Sequence, residues 1–152
     1  MSDNQTAPFR RAVVALNGGP SDARIVRLVA EVAARTKAEM IAVHVVEIDW
    51  TLPLDTDIAG RSEDVQRVLD SAEAIAERFK LTMEPVLLQA RDVAAAIVDE
   101  ATEKGADLLV VGLPYRKRFG GEFAIGRTIP YILQNSPCTV WVVREPMSEE
   151  AS

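Results

Sequence analysis

Five short and almost wholly apolar runs recur along this chain, at residues 12–16, 40–46, 81–88, 107–111 and 139–143. A strand with one face in water alternates apolar and polar residues, whereas a strand covered on both faces is apolar nearly throughout. The segments between these runs carry a helical stripe instead. Ile25, Val26, Leu28, Val29 and Val32 form the first, and Val65, Val68, Leu69, Ala72 and Ile75 the second. Residues 93–104 and 128–134 supply two more. Strands that alternate with helices imply a parallel sheet sandwiched between helical layers, and right-handed crossovers leave few topologies. The expectation is an α/β, doubly wound, five-stranded parallel sheet in the order 3-2-1-4-5. Ligands of such sheets bind beyond the strands' carboxyl ends where the order reverses, here between the first and fourth strands.

The punctuation agrees with that alternation. Asn17-Gly18-Gly19-Pro20 stops the first strand, and Ser21 or Asp22 can cap the helix that follows. Asp92 is placed to cap the third helix and Gly105 to end it. Pro85 limits the pairing of the third strand. A length of 152 residues suits one domain, residues 1–152, with an ordered core at about 10–145 and polar ends that fray. A net charge of -6 argues against nucleic acid as a general partner. The single cysteine, Cys138, sits in an apolar neighbourhood and reads as a small buried hydrophobe. Residues 1–8 have no apolar signal core, and no apolar run nears the roughly 18 residues of a membrane span. The chain therefore reads as cytoplasmic.

The richest chemistry lies after the fourth strand. Gly112 leads into a basic, glycine-bearing loop with Arg116, Lys117 and Arg118, and Gly126 opens a short helix through Arg127 and Thr128. Unpaired N–H groups at a helix N-terminus carry partial positive charge and suit an anion. The competing explanation is a solvated basic surface loop. The two most turn-rich loops, at Asn17 and at Gly112, follow the two strands that flank the expected crevice, which favours an anion site between them.

Four further stretches, in order, resemble the universal stress protein family over residues 10–144. They are Ala15-Leu16-Asn17-Gly18-Gly19, Val43-His44-Val45-Val46, Ala106-Asp107-Leu108-Leu109-Val110-Val111-Gly112, and Ser136-Pro137-Cys138-Thr139-Val140-Trp141-Val142-Val143. The resemblance implies a Rossmann-like fold of the adenine-nucleotide alpha-hydrolase type, a role in stress response, and homodimers. It also implies an adenine nucleotide, ATP or AMP, with any magnesium carried on its phosphates. The residues it implicates are Leu16, Asn17, Gly18, Val45, Gly112, Arg116, Lys117, Gly126, Arg127 and Thr128. The family's nucleotide binders carry Gly-x2-Gly-x9-Gly-(Ser/Thr) after the fourth strand. Here Gly112 matches, Tyr115 replaces the second glycine, ten residues separate Tyr115 from Gly126, and Arg127 precedes Thr128. Tyr115 denies the close backbone approach of glycine, leaving Arg127 and Thr128 to offer a charged fork and a hydroxyl. The wording of residues 120–131 is similar to the branch found beside or fused to membrane transporters.

Other candidates have plainer alternatives. Asn17 is either a nucleoside contact or an Asx-turn at the strand exit. His44, the only histidine, reads as a packed strand residue because no metal or catalytic partners accompany it. Val45 offers backbone groups to an adenine edge or is plain core. Trp50 and Trp141 mark a ligand lid and a subunit contact, or merely pack, and Asp49, Asp55 and Asp57 read as solvated. No P-loop, nucleophile elbow, phosphoacceptor acid pair or hydroxyl-rich flavin loop is present. The expected function is a regulator that binds an adenine nucleotide, with slow nucleotide hydrolysis at most. Its rival is a nucleotide-independent interaction module that docks on a partner such as a membrane transporter. The strand at residues 139–143, apolar on both faces and last in the sheet, is the expected homodimer edge.

Overall fold

A computed structural model describes residues 7–53, 62–114 and 126–147. Its strands are β1 (Arg11–Leu16), β2 (Glu39–Glu47), β3 (Met83–Ala90), β4 (Leu108–Leu113) and β5 (Thr139–Arg144). Between them run α1 (Ser21–Thr36), α2 (Ser62–Arg78), α3 (Val93–Glu103) and α4 (Thr128–Asn135). The sheet order is β3-β2-β1-β4-β5 and every pairing is parallel, as the apolar runs require.

Strand parity sorts the core into two layers. Ala12, Val14, Leu16, Met40 and Ala42 pack toward α1 and α2, together with Leu108 and Val110. Val13, Ala15, Val43, Val45, Leu109 and Val111 pack toward α3 and α4. Both layers are almost fully closed to water at the three central strands, which is why those strands carry no polar alternation.

Three expected boundaries shift, each for a visible hydrogen-bonding reason. β3 begins at Met83 because the Leu81 N–H donates to the Ala76 carbonyl (3.1 Å) and still belongs to the close of α2. Asp107 precedes β4; its carboxylate accepts the Arg10 and Arg11 N–H groups at 2.8 Å each and ties the entrances of β1 and β4 together. Neither Ser21 nor Asp22 caps α1, whose N-cap is Pro20 without a side-chain bond. Asp92 does cap α3, accepting from the Ala95 N–H at 3.1 Å. Gly105, at φ 65°, ends α3 with paired bonds from Gly105 N to Thr102 O and from Ala106 N to Ala101 O. Pro85 is tolerated because β3 is an edge strand.

Candidate functional site

The carboxyl end of the sheet opens into two cavities, one on each side. On the α1–α2 side a cavity of about 550 Å³ is lined by Gly18, Asp22, His44 and a wall of α2 side chains. On the α3–α4 side a cavity of about 660 Å³ is lined by Glu47, Trp50, Arg91, Arg127, Thr128 and Tyr131 among others.

The expected crevice directly between the β1 and β4 exits is already occupied on its α1 side. A Cβ added to Gly112 would stand 3.0 Å from the Ser21 Cβ. Gly112 is therefore the gap into which the start of α1 fits. Buried Ser21 donates its hydroxyl proton to the Glu145 carboxylate, and the Glu145 N–H donates to the Leu113 carbonyl at 2.9 Å. The chain leaving β5 thus straps the first turn of α1 to the end of β4.

The turn after β1 is equally self-contained. Asn17 Oδ1 accepts from the Gly19 N–H at 2.7 Å, so its side-chain carbonyl makes the Asx-turn. The Asp22 carboxylate accepts the Asn17 and Gly18 N–H groups at 3.0 and 2.9 Å. These are the donors that an outside anion would have needed. Burial pushes the Asp22 carboxyl above its ordinary value, against the opposing pull of those two N–H groups and of His44. His44 is packed as expected, but it lies where the core opens into the α1–α2 cavity, with Nδ1 3.1 Å from the Leu16 carbonyl.

Gly126, Arg127 and Thr128 all line the α3–α4 cavity. Gly126 stands just outside α4 at φ 81°, with nothing within 4 Å of an added Cβ. Arg127, the N-cap, makes no side-chain capping bond. Pro130 has no N–H to offer, so the Thr128 and Ile129 N–H groups are the donors that α4 presents at this end. The first turn of α3 faces the same cavity, but Asp92 already caps it.

Opposite them the loop after β2 is organised by Arg91, a residue that the motifs did not flag. Its guanidinium lies 5.0 Å from the Trp50 ring centroid and donates to the Asp49 and Leu52 carbonyls at 2.9 and 2.8 Å. Asp49 in turn accepts from the Thr51 N–H and hydroxyl, which hold its carboxyl below the ordinary value. Trp50 is left 78% exposed on the cavity wall, a planar apolar ring with the Arg91 guanidinium over one face. A signal for Arg91 was present, since it directly precedes the Asp92 cap and so stands at the carboxyl end of β3.

The ten residues implicated by resemblance do not all reach one cavity. Gly126, Arg127 and Thr128 share the α3–α4 cavity, whereas Gly18 lines the α1–α2 cavity. Leu16 and Val45 are buried in opposite core layers. Asn17 is in the Asx-turn and Gly112 lies beneath α1. Arg116 and Lys117 lie outside the described residues, as do Tyr115, Asp55 and Asp57. Trp141 meets Phe9 edge to face at 5.7 Å, so one side of it is core. Cys138 is half-buried, and burial raises its thiol above the usual value. Among the described residues no cluster of His, Cys, Asp or Glu is arranged to hold a metal, and no helix is long and apolar enough to cross a membrane.

An open, five-stranded parallel sheet in the order β3-β2-β1-β4-β5 with helices on both faces is a doubly wound α/β fold of the Rossmann-like kind. The model of the universal stress protein family matches residues 8–144, and the chain belongs to that family. It is 30% identical over 142 residues to the sensor protein KdpD of Mycobacterium tuberculosis, a match covering 93% of this chain and 15% of that protein's length. Among solved structures, the universal stress protein from Archaeoglobus fulgidus superposes with a TM-score of 0.73 at 20% identity, covering 89% of this chain and 98% of that one. A universal stress protein in complex with cAMP superposes at 0.67 and 23% identity, covering 90% and 97%.

Proposed function

We propose that the chain is a regulatory protein that binds an adenine nucleotide in the α3–α4 cavity, its phosphate at the open N-terminus of α4 and its base toward Trp50. The observation that carries this reading is the start of α4. Gly126, Arg127 and Thr128 line the cavity together, and no side chain caps the start of α4 there, while Glu47 and Arg91 contribute to the rest of the wall. Partial and formal positive charge at one point favours a phosphate. Solved relatives support the ligand class: the family includes structures in complex with cAMP and dAMP, and an Arabidopsis thaliana member with AMP bound. A single phosphate at one helix end is enough for this reading, so an AMP-like ligand suffices, and any magnesium would arrive on the phosphates. Leu16, Asn17, Gly18, Val45 and Gly112 do not line this cavity, and Arg116 and Lys117, outside the described residues, remain candidate phosphate contacts.

Calorimetric titration with AMP tests this directly. Arg127→Ala should weaken AMP by about 1.5–3 kcal/mol, the range for hydrogen bonds to charged groups, while leaving adenosine unchanged. Equal affinities of the two proteins for AMP would remove Arg127 from the site. The rival, docking on a protein partner of the membrane-transport or sensor kind, draws support from the likeness to a sensor nearly seven times longer than the match. Its mark would be no nucleotide heat at millimolar concentration.

Assembly is part of the same proposal. β5 is a sheet edge with Val142 exposed, and antiparallel pairing of two such edges through Val140, Trp141 and Val142 gives a homodimer. Sedimentation should show a dimer that Val142→Lys disrupts; a 16.6 kDa monomer indifferent to that change would refute it.

A further inference from the structure

The α1–α2 cavity lies on the other side of the sheet from Arg127, and its lining carries two carboxylates against one guanidinium. β2 sends Met40 and Ala42 into the closed α1–α2 core layer. Two residues on, at the same parity, that layer opens and His44 becomes cavity wall. The Leu16 carbonyl, 3.1 Å from Nδ1, can only accept, so Nδ1 carries the proton. In the neutral ring Nε2 is then an acceptor, and it has no hydrogen-bond partner among the described residues.

Asp22 lines the same cavity. Each carboxylate oxygen takes one backbone N–H and keeps capacity for another donor. Asp22 is half-buried, and no lysine or arginine lies within ion-pair distance of it among the described residues. A carboxylate partly withdrawn from water without a cation is costly to keep ionised. At the mouth, Asp64 and Arg67 pair with each other at 3.4 Å, so their charges offset. Apart from Ser71, the side chains of the remaining wall are hydrocarbon, chiefly Val26, Val65, Val68, Ala72 and Ile75. The volume of about 550 Å³ is that of a small-molecule site.

We propose that this cavity is a second ligand site, for a small amphipathic organic cation whose ammonium or amidinium head donates to Asp22 and His44 Nε2 and whose aliphatic body lies along α2. The local negative charge repels a phosphate, so this site and the Arg127 cavity select different molecules. Asp22 also closes the β1 turn, but a turn cap alone needs neither an adjoining apolar wall nor a second acceptor facing the same space.

The test uses the full chain, labelled with nitrogen-15 and titrated in parallel with n-pentylammonium, n-pentanol, n-pentanoate and AMP. Pentylammonium should shift the Gly18, Asp22, Val68 and Ala72 amides saturably and move the His44 Nε2 resonance. Pentanol should bind at least about fivefold more weakly and pentanoate not at all, since only the ammonium exchanges water for a charge-assisted hydrogen bond. Asp22→Asn should cost about tenfold in pentylammonium affinity, which corresponds to about 1.4 kcal/mol. If that change disorders the turn, Val68→Phe, which fills the cavity and touches no charge, should abolish binding on its own. Equal affinity for pentanol and pentylammonium, the absence of saturable shifts, or undiminished binding in Val68→Phe would each overturn the proposal. AMP shifts are read at Arg127 and Thr128, so either site can fail while the other stands.

Discussion

The two turns that flank the strand-order reversal are made of similar material and finished in opposite ways. After β1, the glycine turn bends back on Asp22, whose carboxylate accepts the Asn17 and Gly18 N–H groups. At the start of α4, Gly126 is again in the left-handed region, yet Arg127 makes no side-chain capping bond. One turn carries its own anion and the other has room for one. A glycine-rich loop beside a helix is therefore only half of an anion site; the other half is the lack of an internal acceptor. The same contrast underlies the two proposed ligands, a cation beside Asp22 and a phosphate beside Arg127.

The largest expected effect separates packing glycine from binding glycine. Gly112→Val should destabilise the protein by about 2–3 kcal/mol, the upper part of the range for overpacking. The new side chain would meet Ser21 and Ile25, with the Ser21 Cβ only 3.0 Å from the added Cβ. Gly126→Val meets nothing within 4 Å and suffers only from its φ of 81°, a cost of about 1–2 kcal/mol. Urea unfolding of both variants reads the difference. If Gly126→Val proves the more damaging, α4 is not the open end described here. AMP titration adds a second comparison: Gly126→Val should lose binding by reshaping the helix entry, at a stability that Gly112→Val does not reach.

Much of the contrast was invisible in sequence for definable reasons. The sheet was legible because burial on both faces leaves β1, β2 and β4 apolar at consecutive positions, and this signal survives without tertiary context. The order of the strands followed from crossover handedness and resemblance. Strand ends were less legible. Leu81 is apolar and reads as strand, but its N–H is used in closing α2. Asp22 looked like a helix cap because local spacing cannot tell a carboxylate that bonds forward into a helix from one that bonds backward into the turn. His44 was correctly read as packed, yet nothing in one sequence shows that the core opens beside it. Ser21 and Glu145 are 124 positions apart, and no local pattern joins them. Arg91 was missed because its partners are carbonyls of another loop, a contact that residue types do not encode.

The smallest expected effect is also the one in which the two sides should differ in sign. Burial raises the folded-state value of Asp22 above the ordinary 3.8. Between those two values the folded protein holds more proton than the unfolded chain, so stability falls as pH rises. Its favourable contribution is full below the unfolded value and lost as pH climbs through the raised one. Asp49, beside Arg91, is the reverse, since the Thr51 N–H and hydroxyl depress its folded value below 3.8. The unfolded chain holds more proton there, so stability rises with pH, and the contribution is lost as pH falls through the depressed value. Urea unfolding across the acid range should therefore give slopes that move apart. Asp22→Asn removes a falling component and steepens the rise of stability with pH, whereas Asp49→Asn removes a rising component and flattens it. Asp49 is fully exposed, and solvent should keep its share small. Slopes that shift in the same direction would mean that the Asp22 carboxylate is stabilised by its two N–H donors more than burial penalises it. The β1 turn would then hold an anion as comfortably as α4 does, and the contrast between the two ends of the crevice would collapse.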